Sequence, residues 1–248
     1  MEIITAQNLD IGFNGVPVVR GIDFAAAEGE ITVILGTSGS GKSTLLKTLV
    51  GLIPPLAGDI FYRGNRVDTA SEASSRALYE RIGVLFQDGA LLNSMSLYEN
   101  VALPLRMSGR RFPEDITRDM VLTRLDQVGL AQSAAKSPAE LSGGMRKRGA
   151  LARALILDPD VVFCDEPSAG LDPVTSTDLD ALLIDLKTKL GKTLVVVTHE
   201  LRSIDRIADR AVVLNEGRLH FQGSLADIQE SPDPFIRTFF LRKDDRHD

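Results

Sequence analysis

Four short apolar runs, each followed by small or polar residues, punctuate the chain. Ile31–Leu35, Ile82–Phe86, Val161–Cys164 and Thr193–Val197 have the length and β-branched content of buried strands. Ahead of and among them, Ile11-Gly12-Phe13, Pro17-Val18-Val19 and Ile22-Asp23-Phe24 alternate with Gly15, Gly21 and Gly29. That rhythm predicts short strands of an antiparallel sheet, with Asp59–Tyr62 as a further edge strand. Residues 65–81 are polar and predict a helix in their second half. From Ser94 to about Asp158 the period becomes helical: Val101, Leu103 and Leu105, a basic turn at Arg110-Arg111, then a stripe of Met120, Val121, Leu125, Val128 and Leu130. No strand-like run interrupts this stretch, which predicts an inserted helical subdomain. Thr177–Leu190 predicts an amphipathic helix, and Ala211–Leu214 with Asn215-Glu216-Gly217-Arg218 a hairpin.

Chemistry gathers where the apolar runs end. After Ile31–Leu35 come Gly36, Thr37, Ser38, Gly39, Ser40, Gly41, Lys42, Ser43 and Thr44, at the spacing G-x-x-x-x-G-K-[ST]. Leu45–Val50 then has helical spacing, with Gly51 to stop it. A strand, a glycine loop and a helix start bring backbone N–H groups and a partial positive charge to phosphate oxygens. Lys42 reaches the terminal phosphates and Ser43 offers a hydroxyl to Mg²⁺, so the loop is expected to bind a nucleoside triphosphate.

The other runs end in candidate partners. Gln87 follows the second, where strand ends point into a ligand crevice. Asp165-Glu166 closes the third; adjacent carboxylates there are costly unless paired or bound to a cation. Asp165 fits a Mg²⁺ carboxylate and Glu166 a base that polarises water. His199 closes the fourth and reads either as a satisfied boundary histidine or, from its place at a strand end of the same sheet, as a phosphate-facing one. Ser142-Gly143-Gly144 opens a helix and reads either as an ordinary cap or as a second anion site. Phe13 is either core filler or, if exposed, a ring for a nucleotide base.

The bulk numbers narrow the classes. A chain of 248 residues, 44% hydrophobic, can bury a full core as one large domain. A net charge of −6 argues against a nucleic-acid binder with a broad basic face. The single cysteine, Cys164, excludes an internal disulfide and a multi-cysteine metal site. Met1–Thr5 lacks the basic and apolar regions of a secretory signal, and no apolar run approaches the roughly 18 residues of a membrane span.

In order and spacing, Gly36–Thr44, Gln87, Leu141-Ser142-Gly143-Gly144, Val161–Glu166, Asp172 and His199 resemble the ATP-binding-cassette ATPases over nearly the whole chain. The resemblance implies an α/β fold: a RecA-like phosphate-loop core (1–90 and 159–226) with an antiparallel β subdomain, a helical subdomain at about 91–158 and a C-terminal tail, 227–248. It implies ATP and Mg²⁺ as ligands, and a homodimer in which two copies sandwich two ATP molecules head to tail. Phe13 then matches the adenine-stacking ring and Gly36–Thr44 the phosphate cradle. Ser43, Gln87 and Asp165 match the Mg²⁺ ligands, Glu166 the residue that activates water, and His199 the γ-phosphate sensor. Ser142, Gly143 and Gly144 would touch the partner's ATP, and Asp172 would couple the two sites. Met145 departs from the glutamine of many cassettes, and Arg146-Lys147-Arg148 is more basic than usual.

Leu85–Leu92, Asn100–Leu105, Leu141–Arg148, Asp165–Pro173 and Ser231–Arg237 look like the ATPases of Mla- and MCE-type phospholipid transport. That likeness implies a cytoplasmic ATPase, held on the inner membrane by permease subunits and moving phospholipid between bacterial membranes. A small cytosolic regulatory subunit and an MCE-type lipid-binding subunit would be further partners; nucleic acid would not. The alternatives are an importer ATPase for amino acids or another small solute, and a non-transport cassette acting on nucleic acid or ribosomes. Around residues 92–108, Leu92, Met95 and Leu97 either line a groove for the permease or pack in the core. The end, residues 242–248, either docks on a partner subunit or is a solvated terminus.

Overall fold

The computed structural model describes residues 1–241; residues 242–248 lie outside them. At its centre is a six-stranded sheet built from β3 (Ile31–Gly36), β6 (Ile82–Leu85), β7 (Val161–Asp165), β8 (Thr193–Val197), β9 (Arg210–Asn215) and β10 (Arg218–Ser224). Their order is β10-β9-β3-β8-β7-β6, parallel throughout except for β9 with β10. Side chains on these strands alternate between two cores. Ile34, Phe163, Val195 and Val212 enter one; Leu35, Val162, Val196 and Val213 enter the other. Burial on both faces is why the strands read as unbroken apolar runs. The parallel strands all finish on one edge, where β3 delivers the glycine loop, β6 Gln87, β7 Asp165-Glu166 and β8 His199.

The first core is capped by an antiparallel sheet of order β2-β1-β4-β5: β1 (Glu2–Phe13), β2 (Val16–Ala27), β4 (Ala57–Tyr62) and β5 (Asn65–Arg66). Residues 11–24 therefore form the arms of one hairpin, not three short strands. Asn14 and Gly15, with φ of 51° and 76°, make the tight turn, and Gly21 falls inside β2. The pairing slips there, from Leu9 with Ile22 to Ile11 with Val19, so Gly21 marks a bulge and not a strand break. Asp59–Tyr62 is likewise not the edge, because the two residues of β5 pair outside it.

Helix α1 (Lys42–Leu49) follows the glycine loop, and α2 (Glu72–Tyr79) leads into β6. The second core is covered by α6 (Pro173–Leu190), α7 (Leu201–Ile207), α8 (Leu225–Gln229) and α9 (Pro234–Leu241), with Ile228 and Ile236 buried in it. Between β6 and β7 lie α3 (Leu97–Met107), α4 (Glu114–Gln127) and α5 (Gly143–Leu155), packed around Val101, Leu105, Val121, Leu125 and Ile156. Of the apolar stripe expected there, Val128 and Leu130 are buried but fall past the end of α4. Leu97 corrects one alternative: it is fully buried against α5, where a Cβ on Gly149 would lie 2.6 Å from its Cδ1. The entry to α3 is fixed by Ser96 and Glu99 in a reciprocal cap.

Candidate nucleotide site

The glycine loop holds its shape because two of its positions admit no side chain. Gly36 has φ 148°, and a Cβ there would lie 2.2 Å from the Leu214 carbonyl oxygen. Gly41 caps α1 at φ 99°, with Val19 Cγ2 occupying the place of a Cβ at 2.2 Å. Behind the loop Ser40 is buried, while Thr37, Ser38, Gly39, Ser43 and Thr44 line an open cleft of about 950 Å³. That volume suits a nucleotide-sized ligand. Lys42 points its amine along the loop, donating to the carbonyls of Gly36 at 3.0 Å and Thr37 at 2.9 Å. Burial pulls its pKa down, opposed by the nearby charges of Glu166 and Asp165.

Four strand ends converge on this cleft. Ser43 Oγ donates to Asp165 Oδ1 at 3.0 Å, and Asp165 is buried beneath it. Gln87, Glu166 and His199 line the same wall. His199 Nδ1 and Glu166 Oε1 are 2.9 Å apart, with the histidine side chain open to solvent and the glutamate side chain mostly enclosed. Glu166 sits at φ 47°, a left-handed conformation rare for a non-glycine residue. Its N–H donates to the Val197 carbonyl at 2.8 Å, which holds that conformation to β8. Two residues earlier, burial pushes the Cys164 thiol up to about 12, so it is a packing residue. Among the described residues no group of three His, Cys, Asp or Glu gathers to hold a metal. A hydroxyl, an amide and one carboxylate do meet here, a donor set that suits a hard cation completed by phosphate and water.

The remaining expected residues stand elsewhere. Phe13 is half exposed but does not line the cleft; Val18, across the hairpin on β2, does. Ser142, Gly143 and Gly144 lie at the start of α5, against the turn that carries Asp172. A Cβ on Gly143 would be 3.4 Å from Leu171 Cδ2, and one on Gly144 would be 2.3 Å from Thr175 Cγ2. Ser142 accepts from the Met145 N–H at 3.2 Å, and Asp172 caps α6 by accepting from Val174 and Thr175. The Thr175 hydroxyl and N–H hold the Asp172 carboxyl below its usual range. Two clusters result, one around the phosphate loop and one around Ser142 and Asp172. Leu201 and Phe235 also line the cleft. No local pattern announces Phe235, which the fold brings from the far end of the chain.

Residues 19–169 match the family model described as ABC transporter. The chain belongs to the ABC transporter family. It is the ATP-binding part of such a system, an ATPase coupled to transport, with the RecA-like cassette fold. It is 40% identical over 239 residues to "Probable ribonucleotide transport ATP-binding protein mkl" of Mycobacterium leprae, covering 95% of this chain and 68% of that one. To the intermembrane phospholipid transport system ATP-binding protein MlaF of Escherichia coli K12 it is 40% identical over 218 residues, 88% of this chain and 81% of that one. The methionine import ATP-binding protein MetN of Carboxydothermus hydrogenoformans is 37% identical over 233 residues, 93% of this chain and 68% of that one. Among solved structures, the dimeric post-hydrolysis state of the cassette MJ0796 bound to ADP and Pi superposes with a TM-score of 0.81. It is 29% identical, over 90% of this chain and 99% of that one.

Proposed function

We propose that this cassette works as a homodimer that hydrolyses ATP to drive a permease moving phospholipid between the inner and outer membranes of a bacterium. The observation that carries the ATPase half is the convergence of Lys42, Ser43, Asp165, Glu166 and His199 on one cleft. Gly36–Thr44 would cradle the phosphates, and Ser43, Gln87 and Asp165 would hold Mg²⁺. When bound, that ion neutralises charge on the transferred phosphoryl group. Glu166 takes a proton from the attacking water, and His199, hydrogen-bonded to it, orients the carboxylate toward the γ-phosphate. Water and ATP become ADP and phosphate.

The likeness to MlaF supports the lipid half, and the dimeric neighbour supports the sandwich. Ser142 and Asp172 are both exposed and adjacent, beside Val174 at 71% exposure, as a face that meets a second copy would be. The cassette is read as one domain in which α3–α5, over about 91–158, form the inserted helical subdomain. The permease would dock in a second groove of about 560 Å³, between α2 and α3, lined by Tyr79, Phe86, Leu103, Pro104 and Met107. A cassette docked there would sit on the cytoplasmic face of the inner membrane. Among the described residues no helix is long and apolar enough to cross it.

The likeness to MetN favours a second reading, an importer ATPase for amino acids. Purifying the native complex from detergent-solubilised membranes and analysing its subunits and bound lipid separates the two. An MCE-type subunit with bound phospholipid is the expected result. A periplasmic amino-acid receptor in its place would overturn the lipid reading and leave the ATPase reading intact.

A further inference from the structure

Lys147 has no role in the site as described so far, yet its ammonium group is buried beneath it, on a residue only 6% exposed. The amine donates to two backbone carbonyls, those of Gln87 and of Glu166, the latter at 3.2 Å. A buried cation is expensive unless it is paired or hydrogen-bonded, and this one spends its bonds on the two residues that face the cleft from β6 and β7. The register explains the reach. Leu85 pairs with Cys164, so Gln87 and Glu166 each stand two residues beyond the last paired position, at the same height along the sheet. One ammonium on α5 bridges both strand ends. Burial pulls its pKa down, and the charges of Asp88, Asp165 and Glu166 oppose that shift.

Two further contacts make the bridge a clamp. Arg153, further along α5, donates to the carbonyls of Gly89 at 2.8 Å and Ala90 at 2.6 Å. Between them Gly89 lies against α5, where a Cβ would make ordinary van der Waals contact with Ala150 Cβ at 3.4 Å. The loop 87–90 is thus bound along its length to α5. Glu166 gains equally: its left-handed backbone is held by the Val197 carbonyl on one side, and on the other its own carbonyl accepts from Lys147 and from the Ala169 N–H.

We propose that Lys147 is a positioning residue for hydrolysis, fixing the backbones of Gln87 and Glu166 to α5 so that both side chains face the γ-phosphate together. The proposal rests on the roles given above to Gln87 and Glu166. Because α5 begins at Ser142-Gly143-Gly144, the same pin joins the hydrolytic wall of one site to the surface that would touch the partner's ATP.

The test is steady-state ATP hydrolysis by the full chain and by K147M, K147R and K147Q, with thermal midpoints measured with and without ATP. Losing the pin should lower kcat of K147M about 10- to 100-fold, as a misplacement near 1 Å does, while KM for ATP stays within about threefold. The guanidinium of K147R also spans two carbonyls, so it should return kcat to within about fivefold of the parent. The ATP-induced rise in thermal midpoint should survive in both variants. The proposal is overturned if K147M keeps kcat within about twofold of the parent, or if its loss appears in KM instead. It is also overturned if K147R is as slow as K147M, which would mark Lys147 as a packing residue. Should K147M not fold, the comparison of K147R with K147Q decides by the same criteria. A parent chain without ATPase activity would defeat the hydrolysis reading itself, a result distinct from any of these.

Discussion

Glu166 concentrates what the site asks of a single residue. Its carboxylate lies 2.9 Å from His199 Nδ1, its carbonyl is held from α5, and its φ of 47° turns the chain just past the end of β7, where its side chain lines the cleft. Such a backbone costs roughly 1–3 kcal/mol and persists only where its surroundings over-determine it. Glu166→Gln keeps the shape and the hydrogen bond to His199 but removes the group proposed to take a proton. Turnover should fall about 10²- to 10⁴-fold, the usual contribution of a general base. ATP binding should remain, so the variant accumulates as an ATP-bound dimer, measurable by sedimentation with Mg²⁺-ATP. Hydrolysis near the parent rate would assign the base elsewhere.

Among the elements, α3 and α5 decide how the helical region meets the sheet. Asn100 on α3 is fully buried; it accepts from the Leu92 N–H at 2.7 Å and donates to the carbonyls of Leu92, Met95 and Ser96. One amide thereby anchors residues 92–96. Asn100→Ala leaves buried backbone groups unpaired and should cost about 2–4 kcal/mol in urea unfolding. A loss below about 1 kcal/mol would show that solvent reaches those groups. Residues of this kind mark the limit of what was legible beforehand. The phosphate loop, Gln87, Asp165-Glu166 and His199 could be read because each stands within two residues of the end of an apolar run, and parallel strands deliver their ends to one edge. Whether Phe13 or Val18 reaches the cleft depends on the register of the β1–β2 hairpin, which slips again at Val18, between Ile11 paired with Val19 and Gly12 paired with Pro17. The burial of Leu97 depends on Gly149, half a chain-segment away on α5. Arg146-Lys147-Arg148 announced its charge, yet only the packing of α5 against residues 87–90 shows that Lys147 is turned inward.

At the scale of the whole molecule, the two clusters call for a second copy. Ser142 is exposed at the start of α5, close to Asp172 and Val174, and on the opposed arrangement it would close over the partner's γ-phosphate. In the proposed dimer each nucleotide would hold two subunits together, and hydrolysis would remove the contacts that bridge them, giving two states with different ligand contacts. Ser142→Arg places a bulky cation in that junction while leaving the phosphate loop untouched. It also deletes the hydrogen bond that caps α5 at the Met145 N–H, so Ser142→Ala serves as the control for the lost cap. In a Glu166→Gln background, Ser142→Arg should abolish the ATP-dependent dimer, whereas Ser142→Ala should weaken it and retain a dimer fraction. Both should bind a fluorescent ATP analogue as monomers, with affinities within about threefold of each other, because uniform binding to the phosphate loop is unchanged. A Ser142→Arg protein that still dimerises with ATP would place the subunit junction away from α5. One that loses nucleotide binding as a monomer would place Ser142 in its own chain's cleft.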